Sequence, residues 1–472
     1  MATRPNILFI MSDDHASHAM SCYGSRINRT PNLDRIANEG MRFDNCFCTN
    51  SICSPSRATI LTGTYNHING VTTLSTPMDN RLIAFPQLLQ QGGYQTAIFG
   101  KWHLGTGPAH CPTGFDDWAA LPGQGLYHNP EFYFKGPGGG TLTTVQGYVT
   151  DIITDLCMDW LGRRDPDRPF CLLCHHKAPH RPWEPDEKHA QLFLNEDVPE
   201  PETLYDDYSN RAFAAAAAEM RVGVHMQPMD LKCFTNPHLP EQPMRKWAYQ
   251  RYIKDYLRVV ASIDENVGRL LDWLDRDGLS ENTLVVYTSD QGFFLGDHGW
   301  YDKRFMYEES LRMPLVLRYP EEVKHGTVND DFVLNVDFAP LFLDLAGVSI
   351  PSEFQGRSFR PLLRGEPPSD WRHEMYYRYW MHKAHHNVYA HYGIRTQRYK
   401  LIYYYADALG QPGAIDETCE PEWELFDLAN DPHELHNVYG QLEYAATVRK
   451  LKDELHRLQS GVGDKRYFKD ND

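Results

Sequence analysis

Five short apolar runs constrain the fold of this chain more than any other feature of its sequence. They are NILFIM (6–11), YQTAIFG (94–100), PFCLLCHH (169–176), TLVVYTS (283–289) and PLVLRY (314–319). Runs that are apolar throughout, rather than alternating, are typical of buried parallel strands. Helical patterns lie between them, the clearest from Met244 to Gly278, and the alanine-rich segment 211–223 is also predicted to be helical. We therefore predict an α/β domain whose central, mostly parallel sheet is flanked by helices.

A proline-rich break at residues 364–370 separates this pattern from a different one. Residues 371–405 are rich in tyrosine and histidine and alternate, which predicts antiparallel strands around a turn. Residues 442–459 then predict a closing helix. We expect a large domain over residues 1–368 and a smaller C-terminal α+β domain over residues 369–472.

Composition and charge exclude several classes of partner. With 46 Lys and Arg against 63 Asp and Glu, the formal charge of the 472-residue chain is −17. Such a surface repels nucleic acid and acidic membranes, and no run approaches the ~18 apolar residues of a membrane helix. The ten cysteines lack disulfide-framework spacing and the N-terminus lacks a signal h-region. We expect a cytoplasmic protein, or a periplasmic one if a leader was removed.

Polar residues follow four of the apolar runs at the point where each predicted strand ends. They are Asp13 and Asp14, Lys101 and His103, His180, and Asp290 and Gln291. In open α/β sheets, ligands bind outside the carboxyl ends of the strands. Four strands that deliver polar side chains to one edge therefore predict a functional site there.

The oxygen-bearing residues of this set suit a metal ion. The adjacent carboxylates of Asp13 and Asp14 repel each other, and a cation between them relieves that repulsion. Asp290 and the side-chain carbonyl of Gln291 add further oxygen donors. An all-oxygen set favours Ca²⁺ or Mg²⁺ over zinc. The alternative for Asp13 and Asp14, considered alone, is a cap on the following helix.

Cations and proton carriers complete the predicted site. They are Arg57, Lys101, His103, His180 and Lys303. Taken singly, each has an ordinary alternative as a solvated or structural residue. Beside a divalent ion they form a pocket for a tetrahedral anion with proton transfer available.

Several motifs resemble one known family. CSPSR (53–57) matches the C-x-P-x-R signature, and ATILTG, GKWHLG and PNILFIMSDD match the segments that accompany it. The segment SDQGFFLGDHGWYDKRFMYEESLRMPLVLRYP and the late WELFDLANDPHELHN extend the match over essentially the whole chain. The chain is similar to the type I, formylglycine-dependent sulfatases. That resemblance implies an alkaline-phosphatase-like fold and the hydrolysis of sulfate monoesters.

The resemblance also implies a modified residue. In that family a formylglycine-generating enzyme reads the signature, here Cys53, Pro55 and Arg57, and oxidises the cysteine to formylglycine. The hydrated aldehyde carries two hydroxyls: one attacks sulfur and expels the alcohol, and the other then loses a proton so that sulfate leaves by C–O cleavage. The alternative for Cys53, a packed core thiol, leaves the spacing of Pro55 and Arg57 unexplained.

By the same resemblance, Asp13, Asp14, Asp290 and Gln291 are the metal ligands, with the modified Cys53 close to the ion. The ion implied is Ca²⁺, with Mg²⁺ or Mn²⁺ possible. Gln291 stands where arylsulfatases often have asparagine, and its extra methylene changes how its carbonyl reaches the ion.

The catalytic roles are implied in the same way. Arg57 and Lys101 correspond to residues that orient the aldehyde hydrate. His103 corresponds to the base that drives sulfate elimination. His180 and Lys303 correspond to the pair that holds the sulfate and protonates the leaving oxygen.

The substrate implied is a small sulfated molecule. The segment around residues 290–310 resembles bacterial sugar sulfatases of the N-acetylglucosamine-6-sulfatase-like branch. Candidate sugar contacts are Asp297, His298, His382 and His386, with His385 and His391 nearby; turn capping and a satisfied sheet face are the alternatives. Two other activities stay open: an arylsulfatase of broad specificity, and a phosphodiesterase or phosphonate monoester hydrolase on the same fold. A member that binds glycans without turnover, and the oligomeric state, stay open as well.

Overall fold

The computed structural model describes residues 4–234 and 239–465. The predicted domain limits, 1–368 and 369–472, include residues 1–3, 235–238 and 466–472, which lie outside the described residues. The strands are β1 (Asn6–Ser12), β2 (Met41–Phe43), β3 (Cys46–Phe47), β4 (Gln95–Lys101), β5 (Asp117–Leu121), β6 (Glu131–Phe134), β7 (Thr141–Thr144), β8 (Phe170–His175), β9 (Thr283–Ser289), β10 (Phe294–Leu295), β11 (Tyr301–Asp302), β12 (Leu315–Arg318), β13 (Thr327–Asn329), β14 (Val333–Leu334), β15 (Glu374–Tyr379), β16 (His391–Thr396), β17 (Tyr399–Tyr404) and β18 (Glu422–Asp427). The helices are α1 (Pro31–Asn38), α2 (Cys53–Thr62), α3 (Asn66–Asn69), α4 (Phe85–Gln91), α5 (Val149–Arg163), α6 (Phe213–Ala217), α7 (Pro228–Leu231), α8 (Glu241–Arg276), α9 (Glu308–Leu311), α10 (Phe338–Leu345), α11 (Arg360–Leu363) and α12 (Ala445–Val462).

A ten-stranded sheet forms the centre, in the order β13-β2-β12-β9-β1-β8-β4-β5-β6-β7. Its middle strands β9, β1, β8 and β4 run parallel, and every residue in them is buried. They correspond to four of the predicted apolar runs. Burial on both faces explains why those runs do not alternate. The prediction of a mostly parallel sheet flanked by helices is confirmed.

The fifth apolar run was expected to be parallel as well, and that part of the prediction is wrong. It forms β12, which pairs antiparallel with both β9 and β2. A parallel return needs a crossover that carries the chain back across a face of the sheet. Only short elements separate β9 from β12, namely β10, a 3-10 turn at Asp297–Gly299, β11 and α9, so the chain turns round and runs back.

The alanine-rich segment is helical for a single short element, α6, rather than throughout residues 211–223. Ala218 is extended, and the buried residues Ala218, Met220 and Val222 alternate with more exposed ones. The backbone here bonds to other segments, since Val222 N donates to Gly299 O at 2.8 Å and Met220 O accepts from Tyr301 N at 2.8 Å. Tertiary hydrogen bonds therefore override the helix propensity of the alanines.

The long helix α8 confirms the strongest helical pattern, and it ends just before Gly278. Gly278 has a φ of +68°, a conformation that glycine adopts at low cost after a helix. Within the described residues, no helix combines the length and the apolar composition needed to cross a membrane.

Strands β15 to β18 form a separate antiparallel sheet in sequential order, and α12 packs on it. The antiparallel strands and closing helix predicted from the C-terminal sequence are therefore confirmed. The boundary between residues 368 and 369 stays a prediction.

Candidate active site

Three carboxylates meet at the carboxyl edge of the central sheet. Asp13 and Asp14 follow β1, Asp290 follows β9, and an oxygen of each lies within 4.8 Å of the others. All three side chains are buried. The backbone N–H of Asp14 donates to Asp290 Oδ1 at 3.3 Å, which ties the two strand ends together. These residues form the carboxylate cluster.

Each carboxylate of the cluster is paired with one buried cation. The pairs are Lys101 with Asp13, Lys303 with Asp14 (Nζ to Oδ1 and Oδ2, 2.6 and 2.7 Å) and Arg57 with Asp290 (Nε to Oδ2, 2.9 Å). The cations predicted from sequence are therefore brought to the site. Because their charges are matched within the cluster, they leave little positive potential to attract an anionic ester. A divalent cation would supply that excess charge.

The cluster fits a hard metal ion. Gln291 is fully buried, and its Oε1 has no hydrogen-bond partner among the described residues. Burial and the neighbouring carboxylates raise the pKa of Asp14 to about 7 and that of Asp290 to about 6. Burial also raises the pKa of Asp13, but Lys101 together with His180, Arg57 and Lys303 outweighs it and holds that pKa well below its usual range. An orphaned carbonyl beside crowded carboxylates is an oxygen donor set of the kind Ca²⁺ and Mg²⁺ take.

Cys53 is the first residue of α2, and the helix places it against the cluster. Its Sγ lies 3.4 Å from Asp13 Oδ1 and within 4.8 Å of a ring nitrogen of His180. Burial and the negative charge of Asp13 raise the pKa of the thiol above its ordinary value. An unmodified thiol here stays protonated and is a poor nucleophile, so the position suits a residue that is chemically altered before use.

His180 is oriented by its neighbours. Its Nδ1 lies 2.8 Å from the carbonyl oxygen of Arg181, so Nδ1 carries the proton and Nε2 faces the cluster, 3.9 Å from Asp14 Oδ2. Tyr127 holds the same loop by donating to His180 O at 2.5 Å. Burial, followed by the charges of Lys101 and Lys303, lowers the pKa of His180. A bound anion raises that pKa again and favours transfer of a proton to Nε2.

His103 lies against Ser54, the residue that follows Cys53. It has a φ of +57°, and Ser54 Oγ donates to its carbonyl at 2.7 Å and lies 3.4 Å from its Nδ1. Burial and the charge of Lys101 lower its pKa, which keeps the ring neutral and able to accept a proton.

A cavity of about 140 Å³ opens above Cys53. Besides Cys53, His180 and Lys303, its lining includes Gln124, Arg181, Asp302, Arg304, His385 and His386. Sequence reasoning missed Gln124, Arg181, Asp302 and Arg304. Asp302 and Arg304 could have been found, because they flank the predicted Lys303.

The C-terminal sheet shapes this cavity. Tyr377 OH donates to Arg304 O at 2.6 Å and accepts from the N–H of Ser51 at 3.1 Å. Arg304 Nη1 donates to Tyr379 OH at 3.3 Å, and Arg304 Nε donates to Asp302 Oδ1 at 3.1 Å. Residues of β15 thus hold the turn at residues 302–304, where both Asp302 and Arg304 have positive φ.

Of the predicted sugar contacts, His386 lines the cavity, and its Nε2 lies 3.3 Å from Asp302 Oδ2. The other three have different surroundings: His298 lies between Asp206 and Glu309 (3.4 and 3.5 Å), Asp297 pairs with His18 (3.2 Å), and His382 Nδ1 accepts from Ala390 N (3.1 Å). His298 and His382 are fully buried. His391, also fully buried, packs between tyrosine rings, whereas His385 lines the cavity.

Comparison with known proteins gives a consistent result. A family model described as Sulfatase matches residues 5–348, and one described as N-sulphoglucosamine sulphohydrolase, C-terminal, matches residues 296–461. An N-acetylglucosamine-6-O-sulfatase of Bacteroides thetaiotaomicron is 44% identical over 99% of this chain and 88% of its own. A structure solved in complex with its substrate D-glucosamine-2-N,6-O-disulfate is 44% identical, with a TM-score of 0.90 over 98% of this chain and 99% of that one. A phosphonate monoester hydrolase of Agrobacterium radiobacter shares the fold at 22% identity, with a TM-score of 0.73 over 97% and 96% of the two chains.

Proposed function

The chain belongs to the sulfatase family and is a sulfuric ester hydrolase, and on that premise we propose that it removes the 6-O-sulfate of a glucosamine residue that is N-acetylated or N-sulfated. The observation that carries the proposal is the position of Cys53, between the carboxylate cluster and a cavity that is open to a small ester. The choice of sugar is supported by the 44% identical relative and by the sugar bound in the solved structure.

We propose Ca²⁺ as the resident ion, with Mg²⁺ or Mn²⁺ as substitutes. Asp13, Asp14, Asp290 and Gln291 would hold it, since their oxygens are buried together. The ion would supply positive charge that draws electrons from the sulfate and from a hydroxyl beside it. With the ion present, Lys101 and Lys303 have their charges available to a sulfate oxygen.

We also propose that Cys53 is oxidised to formylglycine. The hydrated aldehyde would supply a hydroxyl nucleophile and, from the same carbon, a second hydroxyl for release of sulfate. Arg57 restrains the surrounding backbone, because its Nη1 donates to Lys101 O at 2.9 Å while its Nε binds Asp290. That arrangement fixes α2 relative to β4, so residue 53 stays aimed at the site.

Proton transfer falls to two histidines, one near Cys53 and one against the neighbouring Ser54. His180 presents Nε2 toward the cavity and is suited to protonate the departing sugar oxygen. Lys303, also in the lining, is placed to hold a sulfate oxygen beside it. His103 is neutral and lies next to Ser54, on the side of the helix start, where it can accept the proton released when sulfate leaves.

The proposal is tested by assaying purified protein with N-acetylglucosamine 6-sulfate, an aryl sulfate and an aryl phosphodiester, alongside peptide mass spectrometry of the segment around Cys53. We expect formylglycine at residue 53 and turnover of the sugar sulfate. Cys53→Ala should lose turnover, while Cys233→Ala, a change at an exposed cysteine, should keep it. Faster turnover of the phosphodiester, or full activity of Cys53→Ala, would overturn the proposal.

A further inference from the structure

A second cavity adjoins the catalytic one. Its volume is about 410 Å³, and it shares Arg181, His385 and His386 with the lining of the catalytic cavity. Small-molecule sites usually measure about 300–1,000 Å³, so the catalytic cavity of about 140 Å³ is small for a whole sulfated sugar. A substrate whose sulfate reaches Cys53 must therefore project out of the catalytic cavity, and the shared wall directs it toward the second one.

We infer that this second cavity, the acceptor cavity, binds the sugar ring next to the sulfated glucosamine and selects a neutral hexose over a hexuronate. The inference rests on the proposed function and adds a second ring to the substrate. It follows from how the wall is fixed and from the charges that face the acceptor cavity.

The wall between the two cavities is rigid. His386 has both ring nitrogens engaged: Nε2 lies 3.3 Å from Asp302 Oδ2, and Nδ1 lies 2.9 Å from the carbonyl oxygen of Glu219. The backbone N–H of Glu219 also donates to His386 O at 2.7 Å. The ring of Tyr301 meets that of His386 edge to face at 5.5 Å. A sugar can therefore bind against this wall without reordering it.

These bonds also fix the position of Glu219. Its backbone is bonded to His386 on both sides, while its side chain is exposed and lines the acceptor cavity. That carboxylate raises the pKa of His225, another residue of the lining, so it lies close to the space that a ring would occupy.

The arginine in the lining of the acceptor cavity has its charge already matched. Arg181 Nε donates to Asp230 Oδ1 at 2.8 Å, and its guanidinium also binds the other oxygen of Asp230. The same guanidinium lies over the ring of Tyr301, 5.6 Å from its centre. A bidentate partner and an aromatic face hold Arg181 in place, so it offers little charge to a carboxylate on a neighbouring ring.

The remaining polar lining suits hydroxyl groups. His225 Nδ1 accepts from the N–H of Arg221 at 3.1 Å, so in the neutral ring Nε2 carries the proton and can donate to a sugar oxygen. Burial and the charge of Arg221 lower the pKa of His225 and outweigh the Glu219 carboxylate, which raises it. Val224 and Met226 add apolar surface for the C–H face of a ring. The acceptor cavity thus offers donors, an acceptor and apolar area, but no free cation among the residues described in its lining.

The test compares two pairs of disaccharides that carry one 6-O-sulfate on N-acetylglucosamine. The neighbouring ring is attached at C1 in one pair and at C4 in the other, and within a pair it bears either a hydroxymethyl group or a carboxylate. We expect kcat/KM to favour the neutral compound by about 3- to 10-fold in at least one pair, as for like charges near a protein surface. The ratio should shrink at high ionic strength.

Glu219→Gln should remove most of this preference by raising kcat/KM for the carboxylated compound toward that of its neutral counterpart. Glu443→Gln, at an exposed residue of the C-terminal region, is the matched control and should keep the wild-type ratio. Equal rates within both pairs for the wild type, or a preference that survives in Glu219→Gln, would overturn the inference. Turnover of the monosaccharide 6-sulfate tests the proposed function by itself. If the wild type turns over this monosaccharide, the disaccharides test the inference separately. If it does not, both the proposed function and the inference are wrong.

Discussion

Replacing Tyr377 by phenylalanine removes one hydroxyl that joins the C-terminal sheet to two segments of the active site. That hydroxyl donates to Arg304 O at 2.6 Å and accepts from Ser51 N at 3.1 Å, and the side chain is fully buried. The substitution leaves a buried carbonyl and a buried N–H without this partner. Each such group costs about 1–3 kcal/mol, so we expect the free energy of unfolding to fall by about 2–6 kcal/mol.

The same change should reduce activity, although Tyr377 does not line the catalytic cavity. Ser51 lies two residues before Cys53, and Arg304 lines the cavity. When both segments lose their anchor, residue 53 and the turn at residues 302–304 shift relative to each other. A misplacement of about 1 Å can cost about 100-fold in rate, so we expect kcat/KM to fall by about 10- to 100-fold.

The assay pairs urea unfolding with sulfate release from N-acetylglucosamine 6-sulfate. Tyr399→Phe makes the same chemical change on the half-buried start of β17 and should alter stability by less than about 0.5 kcal/mol. An unchanged unfolding midpoint in Tyr377→Phe would refute the reasoning about the buried groups. A lowered midpoint with unchanged kcat/KM would show that the hydroxyl supports the fold but not the site.

Three further predictions follow from the site and its surroundings. Exhaustive chelation should abolish turnover and lower the melting temperature, and added Ca²⁺ should restore both; no change in either quantity would contradict the metal assignment. His180→Ala should slow the sugar sulfate by about 10²–10⁴-fold and an aryl sulfate far less, because an aryl leaving group needs little protonation; equal losses would remove the leaving-group role. Burial lowers the pKa of His298, but Asp206 and Glu309 outweigh it and raise that pKa from 6.5 to about 9, so its contribution to stability is complete below pH 6.5 and is lost as pH rises through 9. The free energies of unfolding of wild type and His298→Gln, measured by urea denaturation, should therefore converge in that range by up to about 3 kcal/mol. A constant difference between them would contradict the assignment.

The carboxylate cluster and Lys101 beside it could be predicted from sequence because regular elements position them. Asp13, Lys101 and Asp290 lie at or just after the ends of buried parallel strands, and the apolar runs that mark those strands are visible in the sequence. The direction of β12 could not be predicted in this way, since a fully buried run looks the same in either orientation. The direction of β12 is set by the connection between β9 and β12, which stays at one end of the strands.

The residues that line the two cavities were harder to predict because loops position them. Arg181 and Gln124 reach the catalytic cavity from segments without periodicity, and a strong helix former at residues 214–218 gives way to an extended segment that leads to Glu219. His298 and His382 have the residue type of a sugar contact, yet they are buried in hydrogen bonds and ion pairs of the fold. Residue type alone did not separate the histidines that line the cavity from the buried ones, because the deciding quantity is exposure to the cavity.

Proteins with this fold can act on different substrates. The phosphonate monoester hydrolase shares the fold with this chain at a TM-score of 0.73, so the fold by itself does not decide the substrate. In this protein Asp13, Lys101 and Asp290 lie at or just after the ends of central strands, where a substitution disturbs the carboxylate cluster directly. Glu219 instead projects from an exposed loop position and takes no part in that cluster. Changes in the acceptor cavity can therefore alter which neighbouring ring is accepted while the chemistry at residue 53 stays the same.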